Sequence, residues 1–284
     1  MSNIAGRLYL CGALENGGAT LLSWCFWQRV DIAPVIVPAG NTLPAFRPAA
    51  DGRATWAQVT IGSFRLSEMA HYYRQQGWDV HPLLVVSDLR PIWASQVNAR
   101  AGEAGMGPPL QVRFRRFVDD WTLFLSKDWP TVRVDDLAAD AERTLRNTAD
   151  RLDLPWNDAL QSWPRAVAEL PKTRELAPDF DRFRRRNLAE TLANYAQRAV
   201  PQAVAREDLQ WLEREFQRFN IENSYPPILK TLQIWSDLVP TPAVSASLNT
   251  GRSPSRSAST PLRWILNRLG IVRPHAETSL KRAV

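Results

Sequence analysis

Residues 15–21 read Glu-Asn-Gly-Gly-Ala-Thr-Leu, between an apolar run at 8–11 and a segment carrying Leu21, Leu22, Trp24, Cys25 and Trp27 at helical spacing. A strand, a glycine loop and a helix start in that order form an anion site. The backbone N–H groups of Gly17, Gly18, Ala19, Thr20 and Leu21 would converge on one point, where a phosphate can sit. The Thr20 hydroxyl adds a donor. No Gly-Lys-Ser/Thr closes the loop, so it is not a Walker A sequence. An ordinary strand-to-helix turn with two glycines would look the same. A second group follows the buried run at 82–86: Ser87, Arg90 and Ser95, all compatible with an anion. An arginine can grip a phosphate through two parallel hydrogen bonds. For proton transfer the chain offers Glu15, Glu68, His71 and His81. Glu15 ranks first because it stands in the loop itself. His71, beside Tyr72 and Tyr73, reads as a packed or surface residue, and His81 falls at the amino end of a strand.

These residues need a scaffold that brings strand ends together. The first two-thirds of the chain alternates strand-like and helix-like patterns, as a mostly parallel sheet requires. Strands are expected at 8–11, 56–61, 82–86 and 131–134, with 33–38 as an edge strand or extended loop between prolines. Helices are expected at 19–30, 67–76, 92–100, 110–125, 141–152, 188–200 and 207–220. The loops 39–55 and 101–109 are rich in Gly and Pro and could border a site. The expected fold is α/β, a central, mostly parallel sheet with helices on both faces and a helical C-terminal third. Polar groups at the carboxyl ends of such strands are where open α/β sheets bind ligands.

Composition narrows the possibilities. The chain is 45% hydrophobic and 23% charged, with no apolar run near the ~18 residues of a membrane span. Residues 1–7 lack the basic and apolar regions of a secretory signal, so the expected location is the cytoplasm. Cys11 and Cys25 both stand in apolar surroundings and read as packed free thiols. The formal charge of +6 is concentrated at one end. Seven of the 35 basic residues and one of the 29 acidic residues lie beyond Val239. The body is neutral, so the basic isoelectric point of the whole chain does not argue for nucleic acid. Residues 1–239 are expected to form one domain and 240–284 a basic, largely disordered tail. Within the tail, 262–269 has basic and apolar faces at helical spacing and could touch an anionic membrane surface weakly.

Three stretches taken in order resemble the sulfotransferase family that uses 3′-phosphoadenosine-5′-phosphosulfate (PAPS). The family's first signature, Arg/Lys-Ser-Gly-Thr-Thr between strand and helix, aligns with Asn16-Gly17-Gly18-Ala19-Thr20. Its second, an apolar strand with Arg-Asp-Pro-Arg and a later serine, aligns with Ser87-Asp88-Leu89-Arg90 and Ser95. Its third, Arg-Tyr-Glu-Asp-Leu followed by Leu-Gly-Leu-Pro, aligns with Arg133-Val134-Asp135-Asp136-Leu137 and Leu152-Asp153-Leu154-Pro155. The resemblance covers about residues 7–160.

The resemblance implies PAPS as co-substrate, no metal, and a small-molecule or carbohydrate acceptor. Gly17, Gly18, Ala19, Thr20 and Leu21 would hold the 5′-phosphosulfate. Ser87, Arg90 and Ser95 would hold the 3′-phosphate. Asn16 would touch the transferring group, and Glu15 is the candidate base. The chain also departs from the pattern. Asn16 replaces the family's Lys or Arg, Ser87 replaces an Arg, and Val134 replaces a Tyr. The usual Lys-Thr-Pro/His at the second strand reads Val59-Thr60-Ile61-Gly62. Losing a preorganised charge of this kind costs a few kcal/mol of transition-state stabilisation. Arg65, Arg90 or the cluster 182–186 could substitute. Two other readings stay open. One is a binding or scaffold protein on the same fold. The other is a P-loop kinase, which the missing loop lysine disfavours.

Overall fold

The computed structural model describes residues 6–37, 42–87, 89–100, 108–163, 183, 186–196 and, within 207–215, all but 209 and 213. All of them fall in the first of two units into which the chain divides, Met1–Val239. The expected tail with its 262–269 helix, most of the 101–109 loop and most of the 182–186 cluster lie outside the described residues.

Five strands form one sheet: β1 (Gly6–Ala13), β2 (Ile32–Ile36), β3 (Ala54–Thr60), β4 (Trp78–Val86) and β5 (Thr131–Arg133). Their order is β2-β3-β1-β4-β5, and every pairing is parallel. The helices are α1 (Ala19–Phe26), α2 (Leu66–Gln75), α3 (Leu89–Arg100), α4 (Leu110–Ser126), α5 (Val134–Ala139), α6 (Ala141–Arg151) and α7 (Leu188–Ala196). This is the parallel α/β architecture that the resemblance implied. Among the described residues, no helix is long and apolar enough to cross a membrane.

Strand alternation sorts the helices into two layers. Leu8 and Leu10 of β1 join a core with Leu66, Met69 and Tyr73 of α2, Ile92 and Trp93 of α3, and Phe114, Phe117, Trp121 and Phe124 of α4. Tyr9, Cys11 and Ala13 point the other way, into a core with Leu22, Trp24 and Phe26 of α1, Leu137 of α5 and Leu145 of α6. Phe26 stacks on Trp56 of β3 with ring centres 4.2 Å apart. Each fully buried side chain of this size contributes about 1.5–3 kcal/mol through its apolar area. Most of the tryptophans described are core residues.

Three of the boundaries that differ from expectation have a clear physical reason. β4 begins at Trp78 rather than Pro82, because Pro82 sits inside the strand. Leu84 donates its N–H to Pro130 on the β5 side. Pro82, two residues earlier, faces that same side, where β5 has not yet begun. The missing N–H therefore breaks no ladder bond. α1 stops at Phe26, four residues before the expected end. Gln28 and Arg29 close tighter turns onto Cys25 and Phe26, which frees the buried Arg29 to bond the Pro155 carbonyl and both oxygens of Asp31. Val134 opens α5 instead of ending β5, and it turns inward, fully buried.

Cys11 and Cys25 are buried free thiols. Burial pushes the Cys11 thiol up to about 12 and the Cys25 thiol still further up. Since the thiolate is the reactive form, neither should react with a thiol reagent at about pH 8 until the chain unfolds. Stoichiometric labelling of the folded protein would contradict this packing.

Candidate functional site

The carboxyl ends of β1, β3 and β4 lie side by side, with Gly12 registered to Val59 on one flank and to Leu84 on the other. The loop from Leu14 to Gly18 leaves β1 at this edge. Gly17 donates its N–H to the Leu14 carbonyl at 2.8 Å, and Asn16 adopts a left-handed φ of 64°. A Cβ on Gly17 would stand 2.7 Å from the Leu14 oxygen. Only glycine fits this tight turn. Gly18, with φ 93°, is the residue before α1, and no side chain caps that helix start. The N–H groups of Ala19, Thr20 and Leu21 therefore have no intrahelical partner and no side-chain cap. An anion would complement them. This neutral donor set, with the uncapped helix start, fits a phosphosulfate.

The second predicted group is drawn to this loop from α3. Asn16 donates from Nδ2 to the Ser95 hydroxyl at 2.9 Å. Next to it, the buried Gln96 donates from Nε2 to the Glu15 carbonyl at 2.9 Å. Residues expected to contact the 5′-phosphosulfate and the 3′-phosphate thus meet directly. Ser87, just past β4, is buried, and its hydroxyl has no hydrogen-bond partner among the described residues. A buried donor left in that state has a reason to exist if a ligand completes it. Arg90 stands in the first turn of α3. The third motif arrives from β5, where a Cβ added to Gly18 would meet Val134 Cγ2 at 2.5 Å. The segment after α6 docks behind, with the Pro155 carbonyl accepting from Arg29 and Arg146 lying 4.0 Å from the Trp156 ring centre.

Other sequence candidates fall away from this edge. His81 is registered with Tyr9, in the amino half of β1, and pairs with Asp79 at 3.1 Å. His71 lies on α2, where Gln75 bonds its ring. Glu68 and Arg65 pair with each other at 2.9 Å, and Glu68 also accepts the Arg65 backbone N–H. Arg65 is committed there rather than to the loop. Two residues not singled out from the sequence do sit at the loop: Gln96 and Arg113. Arg113 of α4 is buried. It donates from Nε to the Pro108 carbonyl at 3.1 Å, and its Nη1 lies 3.8 Å from Glu15 Oε2. A signal for it was present. Arg113, Phe117, Asp120 and Phe124 recur at i, i+4, i+7 and i+11, so a cation stands on the apolar stripe of its helix.

The chain is similar to two sulfotransferase domains of known structure. One is from the Synechococcus PCC 7002 olefin synthase, at 15% identity and a TM-score of 0.47, over 76% of this chain and 96% of that domain. The other is from the curacin biosynthetic pathway, at 14% identity and a TM-score of 0.45, over 79% of this chain and 99% of that domain. No protein-family model and no curated protein matches the chain.

Proposed function

We propose that this protein is a sulfotransferase that moves a sulfuryl group from PAPS to a hydroxyl or amine of a carbohydrate or other small acceptor. The observation that carries this reading is convergence. Asn16 of the first motif bonds Ser95 of the second, and Gly18 packs on Val134 of the third, all at the carboxyl edge of a parallel sheet. In the reaction the acceptor oxygen or nitrogen attacks sulfur in line. A new S–O or S–N bond forms and the bond from sulfur to the bridging phosphate oxygen breaks. The products are the sulfated acceptor and 3′-phosphoadenosine-5′-phosphate, and the acceptor proton passes to a base or to solvent. Gly18 to Leu21 and the Thr20 hydroxyl would hold the phosphosulfate, while Gly17, whose N–H is spent on the Leu14 carbonyl, shapes the loop. Ser87, Arg90 and Ser95 would hold the 3′-phosphate, and Asn16 would touch the transferring group. A second reading keeps the pocket without the turnover. It is favoured by the neutral residues Asn16 and Ser87, where the resembled family carries cations.

Calorimetric titration separates the readings. A sulfotransferase should bind 3′-phosphoadenosine-5′-phosphate without magnesium and prefer it to ATP. Arg90→Ala should weaken that binding by about 1.5–3 kcal/mol, the range of a charged hydrogen bond. Binding of ATP only with magnesium would favour a kinase. Binding of neither nucleotide would remove the sulfotransferase reading. Tight binding with no sulfuryl transfer to a broad acceptor panel would support the pocket without turnover.

A further inference from the structure

We propose that Arg113 supplies the positive charge the glycine loop lacks, and that Glu15 is its counter-ion until an anion binds. This rests on reading the loop as an anion site. The guanidinium cannot deprotonate, and the side chain is only 7% exposed. A charge buried this deeply needs anionic or carbonyl partners. Pro108 provides one, and Glu15 lies at 3.8 Å, an ion pair longer than a hydrogen bond. The guanidinium also lies along Gly62 at the carboxyl end of β3, where an added Cβ would stand 3.9 Å from Nε. Arg113 is thus fixed against the same strand ends that carry the loop. Glu15, in contrast, is half-exposed and free to leave: its carboxylate is 51% exposed.

A second group at the same spot awaits a partner. Gln96 is buried, and its Nε2 is spent on the Glu15 carbonyl. Its Oε1 has no hydrogen-bond partner among the described residues. The loop around Glu15 is therefore flanked by a buried cation and a buried, unsatisfied carbonyl. An incoming group bearing both an anion and a hydroxyl, as a nucleotide phosphate does, could take both places. An anion at the loop would compete with the Glu15 carboxylate for Arg113. This gives Glu15 a role other than that of general base.

The test is calorimetric titration of the full chain with 3′-phosphoadenosine-5′-phosphate and, separately, with inorganic pyrophosphate, at fixed salt. The variants are Glu15→Gln, Arg113→Gln and Arg113→Lys, each checked for a native circular-dichroism melt. Glu15→Gln removes the competitor and should tighten anion binding about three- to tenfold. Arg113→Gln should weaken it about tenfold or more, with Arg113→Lys in between. Unchanged or weaker binding by Glu15→Gln overturns the counter-ion role, even if the Arg113 variants fail to fold. Unchanged binding by a folded Arg113→Gln overturns the cation role. If the wild type binds pyrophosphate but not the nucleotide, the sulfotransferase reading fails and Arg113 is judged on pyrophosphate. If it binds neither, both fall.

Discussion

Replacing Gly18 with alanine is expected to destabilise the chain by about 2–5 kcal/mol and to abolish nucleotide binding. Two costs add. At φ 93° an L-residue is strained by roughly 1–2 kcal/mol. The new methyl would also stand 2.5 Å from Val134 Cγ2, and overpacking of this kind costs about 1–3 kcal/mol. Val134 cannot retreat, because it is fully buried and begins α5 directly after β5. The displaced partner would therefore be the first turn of α1, whose N–H groups form the proposed anion site. Gly52 is the control. Its φ of 76° is similar, but nothing lies within 4 Å of its Cβ position. Gly52→Ala should show the backbone cost alone, and Val134→Ala should rescue part of the Gly18→Ala loss. Urea denaturation measures all three. Equal losses at Gly18 and Gly52 would mean that the loop does not rest on the third motif.

Asp120→Ala is expected to cost about 3 kcal/mol or more. Asp120 is fully buried on α4, yet it caps a different helix. Its carboxylate accepts the Leu66 N–H at 2.5 Å, the Ser67 hydroxyl at 2.6 Å and the Ser67 N–H at 3.2 Å. These are donors at the start of α2 that the helix cannot satisfy itself. Each buried donor left unpaired costs about 1–3 kcal/mol. The pH dependence has a definite sign. Burial pushes the Asp120 carboxyl above the ordinary carboxylate range, despite the opposing hydrogen bonds from Ser67 and Leu66. A folded-state value above the unfolded one contributes stability that is complete below the unfolded pKa, about 3.9. That contribution is lost as pH rises through the raised value. As pH rises above about 4, the wild type should thus lose stability relative to Asp120→Asn. The opposite trend would show that the hydrogen bonds outweigh desolvation. α4 also carries Arg113, so loosening this clamp should weaken the loop as well as α2.

Much of the fold was legible in the order of residues, for a physical reason. Residues 8–11 and 82–86 are apolar runs buried on both faces, 56–61 is apolar apart from the half-buried Gln58 and Thr60, and the helical segments between them can only return to the sheet as crossovers. A parallel arrangement follows from that alternation. The two glycines of the loop marked a tight turn before a helix, and both carry out steric tasks that a Cβ would prevent. Local chemistry also set the limits at Gly77 and Pro109, where one helix stops and another begins.

Other features depended on three-dimensional partners. Pro82 read as a strand boundary, because local sequence does not show that β5 starts too late to miss its N–H. Val134 read as strand, because its inward turn is decided by contact with Gly18 in a distant loop. Arg65 read as a cation for the loop, but Glu68 three residues on takes it up. Asn16 and Ser95 were each picked out by their place in a motif, while their mutual hydrogen bond was not legible. Arg113 and Asp120 stand on the apolar stripe of α4 and were not singled out from the sequence. They are buried charges whose partners, Glu15 and the start of α2, lie far away in sequence. Sequence periodicity determined which residues face inward. Which of those inward polar groups find each other was decided only by tertiary structure, because a buried charge is tolerated only where the fold delivers its partner.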